Sequence, residues 1–180
     1  MRLRHLPTGD LSDAETTQIR ALLWAAFEDD EDGGFTEDDW QHALDGTHFV
    51  AEVDGRIVSH AAVVQRELRV AGAPCRTGYV EAVATSPPDQ RHGHGTAVMR
   101  EVNKHIQSEF ELGALGTSSH GFYERLGWQT WRGPTFVRTS TGDVATPDED
   151  GYILVLRTPT TPPIDIEASI SCDWRPGDVW

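Results

Sequence analysis

Tyr79-Val80-Glu81-Ala82-Val83-Ala84-Thr85 is an apolar run carrying a single acid, and the residues after it decide the fold. Ser86-Pro87-Pro88-Asp89 breaks the run, Gln90-Arg91-His92-Gly93-His94-Gly95 follows, and then Val98, Val102 and Ile106 recur four apart. The order is strand, proline-bent loop, glycine turn, helix. Glycines at a helix start let the main chain approach a ligand closely, and the first N–H groups of a helix have no partner within it. With the positive end of the helix dipole added, these groups suit a pyrophosphate. The stretch lacks the Gly-Lys-Ser/Thr ending of a P-loop and does not fit the dinucleotide-binding Gly-x-Gly-x-x-Gly, so both nucleotide readings are disfavoured. The local alternative is a glycine-capped loop leading into an ordinary helix.

A chain of 180 residues, 38% of them hydrophobic, has enough apolar material for one domain with a real core, so a single domain over residues 1–180 is expected. No apolar stretch reaches the length of a membrane span, and Met1-Arg2-Leu3-Arg4-His5 leads into no signal-peptide core. Cys75 and Cys172 make no disulfide framework and read as small core residues, which favours a reducing, cytoplasmic setting. The net charge of −14 excludes a general affinity for nucleic acid, because nothing would neutralise its phosphates. Acids cluster at Glu28-Asp29-Asp30-Glu31-Asp32, Glu37-Asp38-Asp39 and Asp148-Glu149-Asp150, with Asp173 and Asp178 near the end. Each cluster is a solvated loop, or, where several converge on one cleft, part of a surface that attracts cations. His92 and His94 stand two apart, but the glycine turn explains them better than a metal, and no metal site is expected.

Before the central stretch the pattern is that of antiparallel strands. Residues 1–6 read as a strand, Ser12 and Glu15 as a capping box, and Ile19, Leu22, Leu23, Ala26 and Phe27 as one helical face. Thr36 caps a short second helix carrying Trp40 and Leu44. Residues 48–53 and 57–70 flank Asp54-Gly55, a hairpin turn pair, and Gly72-Ala73-Pro74 turns the chain again. After the central helix, residues 112–116 read as a buried strand and residues 120–127 as a helix of one or two turns stopped by Gly127. Two further strands are expected at residues 135–139 and 152–156 with a polar loop between them, then an extended connector at residues 159–163.

The segment Gln90-Arg91-His92-Gly93-His94-Gly95 resembles the Gln/Arg-x-x-Gly-x-Gly/Ala motif of the GCN5-related N-acetyltransferases, which hold the pyrophosphate of acetyl-CoA there. Phe122-Tyr123-Glu124-Arg125-Leu126-Gly127-Trp128, about thirty residues on, resembles the second motif of the same family, and two motifs in order are far more specific than either alone. The resemblance implies an α/β (α+β) acetyltransferase fold, a mixed and mostly antiparallel sheet flanked by helices, with acetyl-CoA as cosubstrate.

The chain ends Cys172-Asp173-Trp174-Arg175-Pro176-Gly177-Asp178-Val179-Trp180. Either its rings merely dock on the domain, or the segment completes a site. It is similar to the end of the aminoglycoside 2′-N-acetyltransferases, as are Phe35-Thr36-Glu37-Asp38-Asp39-Trp40, His60-Ala61-Ala62-Val63-Val64-Gln65-Arg66, Cys75-Arg76, Gly78-Tyr79-Val80-Glu81 and Thr146-Pro147-Asp148-Glu149-Asp150-Gly151. That resemblance implies a tail at residues 173–180 that completes the substrate site. It implies that Glu81 relays the proton of the 2′-amine through a water and that Tyr123 donates to the departing thiolate. The main chain of Val83 and Thr85, with the turn formed by Gln90, Arg91, His92, Gly93, His94 and Gly95, would hold pantetheine and pyrophosphate. Asp39, Asp178 and the Trp180 carboxylate would receive substrate ammonium groups, with Ala82 beside Glu81 and Glu149 standing where the family has Asp. The family's Gly-Asp-Phe-Thr is here Gly33-Gly34-Phe35-Thr36, so an acidic contact is missing, with Asp32 the nearest substitute.

The chemistry agrees with these roles. An amine with a lysine-like pKa of about 10.4 must lose a proton before it attacks, and a carboxylate in an apolar strand can take it. A leaving thiolate, with a cysteine-like pKa of about 8.5, benefits from a phenol donor. Glu81 can instead be an exposed strand residue or one half of an ion pair, and Tyr123 a packing residue. The reading is an acetyl-CoA-dependent N-acetyltransferase acting on the 2′-amine of a polycationic amino sugar, an antibiotic-modifying activity. The alternatives are another amine acetyltransferase, for a cell-wall amino sugar or polyamine, and a non-catalytic module that keeps the fold. A homodimer is an arrangement the resemblance allows.

Overall fold

The computed structural model describes residues 1–28 and 34–180. Among them, ten strands and four α-helices follow in the order β1 (Arg2–Pro7), α1 (Asp13–Ala26), α2 (Glu37–His42), β2 (Thr47–Val53), β3 (Arg56–Val70), β4 (Ala73–Thr85), α3 (His94–Glu109), β5 (Leu112–Gly116), α4 (His120–Glu124), β6 (Gln129–Thr130), β7 (Thr135–Thr139), β8 (Gly142–Ala145), β9 (Ile153–Arg157) and β10 (Ile170–Asp173). The class is α/β with mixed pairing: β4 with β5 and β7 with β10 are parallel, and the other recorded pairs are antiparallel. The chain groups into two compact units, Met1–Val64 with Val80–Val102, and Gln65–Tyr79 with Asn103–Trp180. Strands β3 and β4 and helix α3 each contribute residues to both. No helix among the described residues is long and apolar enough to cross a membrane.

In the first unit, β1, β2 and the first half of β3 pair antiparallel. The β2–β3 connection is Asp54-Gly55, both with positive φ (50° and 78°), as a two-residue hairpin of this twist requires. Both expected helix caps form. Ser12 Oγ accepts the Glu15 N–H while the Glu15 carboxylate accepts the Ser12 N–H, and Thr36 and Asp39 repeat the exchange. These caps set where α1 and α2 begin, and so present Ile19, Leu22, Leu23 and Trp40 to Val50, Ile57 and Ala84 in one apolar cluster. Each such side chain contributes about 1.5–3 kcal/mol on burial.

In the second unit, β6, β9, β5 and β4 follow one another edge to edge, as do β3, β10, β7 and β8. The turn between β3 and β4 is Ala71-Gly72 (φ 49° and 81°), one residue earlier than the glycine-proline reading placed it, and Ala73-Pro74 already belong to β4. The reason is the demand of a tight turn for two positive-φ residues, which proline cannot supply. Gly78 is required by close approach, because a Cβ there would lie 2.8 Å from the Phe110 ring. Three strands are additional to the sequence reading. Strand β8 lies in the expected polar loop and is exposed along its whole length, β6 has two residues, and β10 pairs with both β3 and β7 beyond the proline connector. Cys75 and Cys172 are both buried and free, with burial pushing each thiol up to about 11.

Candidate active site

The end of β4 in the first unit departs from a regular strand. Ala82 has a φ of 52°, a left-handed conformation that non-glycine residues adopt only where the surroundings over-determine it. Glu81, half-buried, immediately precedes it, and Val83 and Ala84 follow. Side chains of β3 hold the carbonyls here: His60 Nδ1 lies 2.8 Å from the Ala82 oxygen, and Ser59 Oγ donates to the Ala84 oxygen at 3.0 Å. Thr85 is fixed twice, its Oγ1 at 2.9 Å from Ser59 Oγ and its carbonyl accepting from Gln90 Nε2 at 3.3 Å. The signature glutamine therefore ties the glycine turn back to the strand it follows.

Arg91 and Gly93 both take positive φ (63° and 83°), so the turn coils tightly before α3 begins, and the Gly93 carbonyl accepts the Ala97 N–H at 3.0 Å. Residues 90–93 are exposed, and a Cβ added at Gly93 would meet nothing within 4 Å. This open, side-chain-free approach to a helix N-terminus fits a pyrophosphate. His92 Nδ1 sits 3.2 Å from the Asp89 carbonyl and its ring stacks on His94, an arrangement that belongs to the turn. Among the described residues no group of three or more His, Cys, Asp or Glu side chains is placed to hold a metal.

In the second unit Tyr123 lies on α4, buried, with the rings of Phe122 and Trp128 edge-on at 4.9 and 6.2 Å. Burial pushes its phenol up to about 12, and the hydroxyl makes no hydrogen bond among the described residues. The chain end is anchored rather than frayed. Trp180 is 5% exposed, and its indole N–H donates to Thr146 Oγ1 at 3.0 Å. The Val179 carbonyl accepts from Arg66 (3.0 Å) and from the Cys172 thiol (3.2 Å). Arg175 donates to the Asp178 carbonyl at 2.7 Å and to the Trp180 main-chain oxygen at 3.3 Å. Trp174, by contrast, is 60% exposed, so only one of the two tail rings docks. Glu149 is held above the usual carboxylate range by burial first, then by the charges of Asp178 and Asp148. The tail and the acidic segment thus meet within this unit.

A family model described as an acetyltransferase (GNAT) domain matches residues 9–131, more than half of the chain. The chain belongs to the GNAT acetyltransferases. Acetyl-CoA is the cosubstrate of this family, and the open glycine turn suits it. An aminoglycoside 2′-N-acetyltransferase of Mycolicibacterium fortuitum is 40% identical over 99% of this chain and 91% of that protein. Among solved structures, a GNAT family acetyltransferase from Brucella melitensis in complex with acetyl-CoA matches at a TM-score of 0.60 and 19% identity, over 91% of this chain and 94% of that one. Eis1 from Mycobacterium abscessus matches at 0.61 and 20% identity over 76% of this chain, which spans only 33% of that protein.

Within this acetyltransferase the first unit gathers Glu81, Ala82, Val83, Thr85 and the turn from Gln90 to Gly95, and the second gathers Glu149, Asp178 and Trp180 with Tyr123. Asp39 also lies in the first unit, where one carboxylate oxygen already accepts the Thr36 N–H and hydroxyl at 2.8 and 2.7 Å, leaving the other for any ligand. Asp32 lies outside the described residues. Sequence reasoning gave no role to Arg66, Arg175, Thr146, Ser59, His48 or His60. Arg66 is the most telling, because a guanidinium only 7% exposed needs an acid. It finds Asp173 at 3.2 Å, 107 positions away, a distance that leaves no local pattern.

Proposed function

We propose that this acetyltransferase acetylates the 2′-amino group of aminoglycosides, with direct transfer from acetyl-CoA. The observation that carries the reading is the 40% identity with an aminoglycoside 2′-N-acetyltransferase over 99% of the chain. Acetyl-CoA supplies an acetyl group activated as a thioester. The residues of the chain do the rest. The turn from Gln90 to Gly95 holds the pyrophosphate, and the main chain of Val83 and Thr85 the pantetheine. Glu81, through a water, takes the ammonium proton. Tyr123, protonated at every working pH, donates a hydrogen bond to the thiolate; a phenol near 12 is too weak an acid to surrender its proton fully to a thiolate of about 8.5. Asp39, Glu149, Asp178 and the Trp180 carboxylate receive ammonium groups.

A thiol-release assay with acetyl-CoA tests substrate class, using an aminoglycoside with a 2′-amine, a counterpart with a 2′-hydroxyl, a linear polyamine and a simple amino sugar. Turnover only with the 2′-amine is expected; equal rates with polyamine and aminoglycoside would move the assignment to another amine, and no thiol release with any would favour a binding module. Because surface charges are screened within about 8 Å at physiological salt, KM for the aminoglycoside should climb with salt while KM for acetyl-CoA follows a different trend. Deleting Val179-Trp180 should raise amine KM by about tenfold, equivalent to about 1.4 kcal/mol, with Asp178→Asn doing less. A tail that only packs would instead lower Tm and leave amine KM and its salt slope alone.

The turn makes its own prediction. Gly93→Val puts a branched side chain into the open approach and forces it into a left-handed conformation. KM for acetyl-CoA should rise about tenfold or more in a protein whose circular dichroism is unchanged. Gly93→Ala should lie between, and unaltered acetyl-CoA kinetics in both would remove the pyrophosphate from this turn.

A further inference from the structure

The left-handed residue beside Glu81 is held by a buried chain of rings. His60, on β3, has no exposed surface, and its Nδ1 lies 2.8 Å from the Ala82 carbonyl. Its Nε2 lies 2.9 Å from Nδ1 of His48, on β2 and equally buried, and His48 Nε2 lies 2.9 Å from Thr8 Oγ1. A carbonyl only accepts, so His60 Nδ1 carries the hydrogen and its Nε2 is bare. His48 Nδ1 must then donate, which leaves His48 Nε2 to accept from the Thr8 hydroxyl, whose other acceptor, the Gly46 carbonyl, is farther at 3.3 Å. One arrangement satisfies all four ring nitrogens with both rings neutral.

We propose that this His48–His60 relay fixes the left-handed turn at Ala82, making His60 a positioning residue for Glu81. The proposal rests on the reading of Glu81 as the proton acceptor. The direction of the hydrogen bonds excludes a proton route, because the relay ends on a carbonyl that cannot pass a proton on. What it transmits is position. Ala82 sits in a conformation that an alanine leaves readily unless something holds its carbonyl, and the side chain one residue earlier swings with it. Catalytic groups lose about a hundredfold in rate when displaced by an ångström, so a support of this kind acts on kcat. Fully buried, His60 offers no surface of its own to a ligand.

The test compares His60→Leu, which removes the donor, with His60→Asn, whose side-chain amide can stand where Nδ1–H was. His60→Leu should lower kcat about tenfold or more while KM for both substrates changes by less than about threefold, and His60→Asn should recover most of the loss. Equal losses in the two variants, or full kcat in a folded His60→Leu, overturn the proposal. Ala82→Gly offers a second route, since glycine adopts positive φ without a Cβ clash. In that background the further loss caused by His60→Leu should shrink, and an undiminished loss overturns the proposal. Ring-nitrogen NMR of the wild-type protein supplies a readout independent of turnover. Both histidines should be neutral Nδ1–H tautomers at pH 7.5, and an Nε2–H tautomer at His60 would break the relay even if Glu81 is the base. If the tautomers are as expected but Glu81→Gln retains full activity, the catalytic reading fails and the relay is only a structural brace; the positioning role falls with it.

Discussion

Replacing Glu81 with Gln is expected to lower kcat by roughly 10²–10⁴-fold, the usual worth of a positioned proton acceptor, with KM for both substrates nearly unchanged. The amide keeps the shape and some of the hydrogen bonding but cannot take a proton. The residual reaction must then wait for the amine to ionise by itself, so kcat of the variant should climb about tenfold per pH unit toward an amine pKa of about 10.4. The parent should level off at lower pH. Tyr123→Phe is expected to differ in kind. Its phenol, held up to about 12 by burial, contributes no titration to an assay between pH 6 and 10, so the variant should be slower at every pH with a profile of unchanged shape. Stopped assays across this range separate the two roles. A Glu81→Gln enzyme within about twofold of the parent, with the parent's pH profile, would reassign Glu81 to a structural ion pair.

The sequence made the scaffold legible where the determinant is local. Ser12 with Glu15, and Thr36 by itself, mark helix starts because a capping side chain lies within four residues of the N–H groups it serves. Asp54-Gly55 marks a turn because its two positive φ values exclude most other pairs. The strand-turn-helix from Tyr79 onward carries its own period, and Val98, Val102 and Ile106 are all fully or nearly fully buried. What could not be read depends on partners far along the chain. Nothing around Ala82 announces a left-handed strand residue, since its support comes from His60, 22 positions earlier. His48 and His60 look like isolated polar residues in two apolar strands and make sense only once β2 and β3 are paired. Strand β8 has no buried face and so no alternation to detect. The acidic residues show the same division. Their composition was evident, but that Glu149 feels Asp178, while Asp39 closes a helix cap, is a matter of folding.

Acid is expected to destabilise the protein steeply below about pH 6.5, and the His48–His60 pair is the reason. Burial pushes His48 down to about 4. Burial likewise pushes His60 down to about 3, aided by repulsion from His48 and opposed by the Ala82 carbonyl. In the unfolded chain both titrate near their ordinary 6.5. Between pH 6.5 and about 4 the unfolded state therefore binds two protons that the folded state refuses. The stabilisation is complete above 6.5 and is lost as pH falls, at a slope approaching about 2.7 kcal/mol per pH unit where both sites differ fully. Among the carboxylates, Glu149 is held above its ordinary 4.5, chiefly by burial, so it takes up its proton in the folded state first and opposes the histidines as pH falls. Glu15, held to about 2 chiefly by its hydrogen bond with Arg4, exerts its own dependence only below its ordinary 4.5. Urea midpoints at half-unit intervals from pH 7.5 to 5 isolate the histidines when the wild type is compared with a variant that lacks both rings. A double variant with Asn at positions 48 and 60 keeps side-chain donors but cannot titrate, so its midpoint should be nearly flat across the same range, even if it starts lower. A wild-type midpoint that does not move between pH 7.5 and 5 would mean that the rings reach water and protonate without unfolding. That outcome would contradict the enclosure in which β2, β3 and the left-handed turn of β4 hold them.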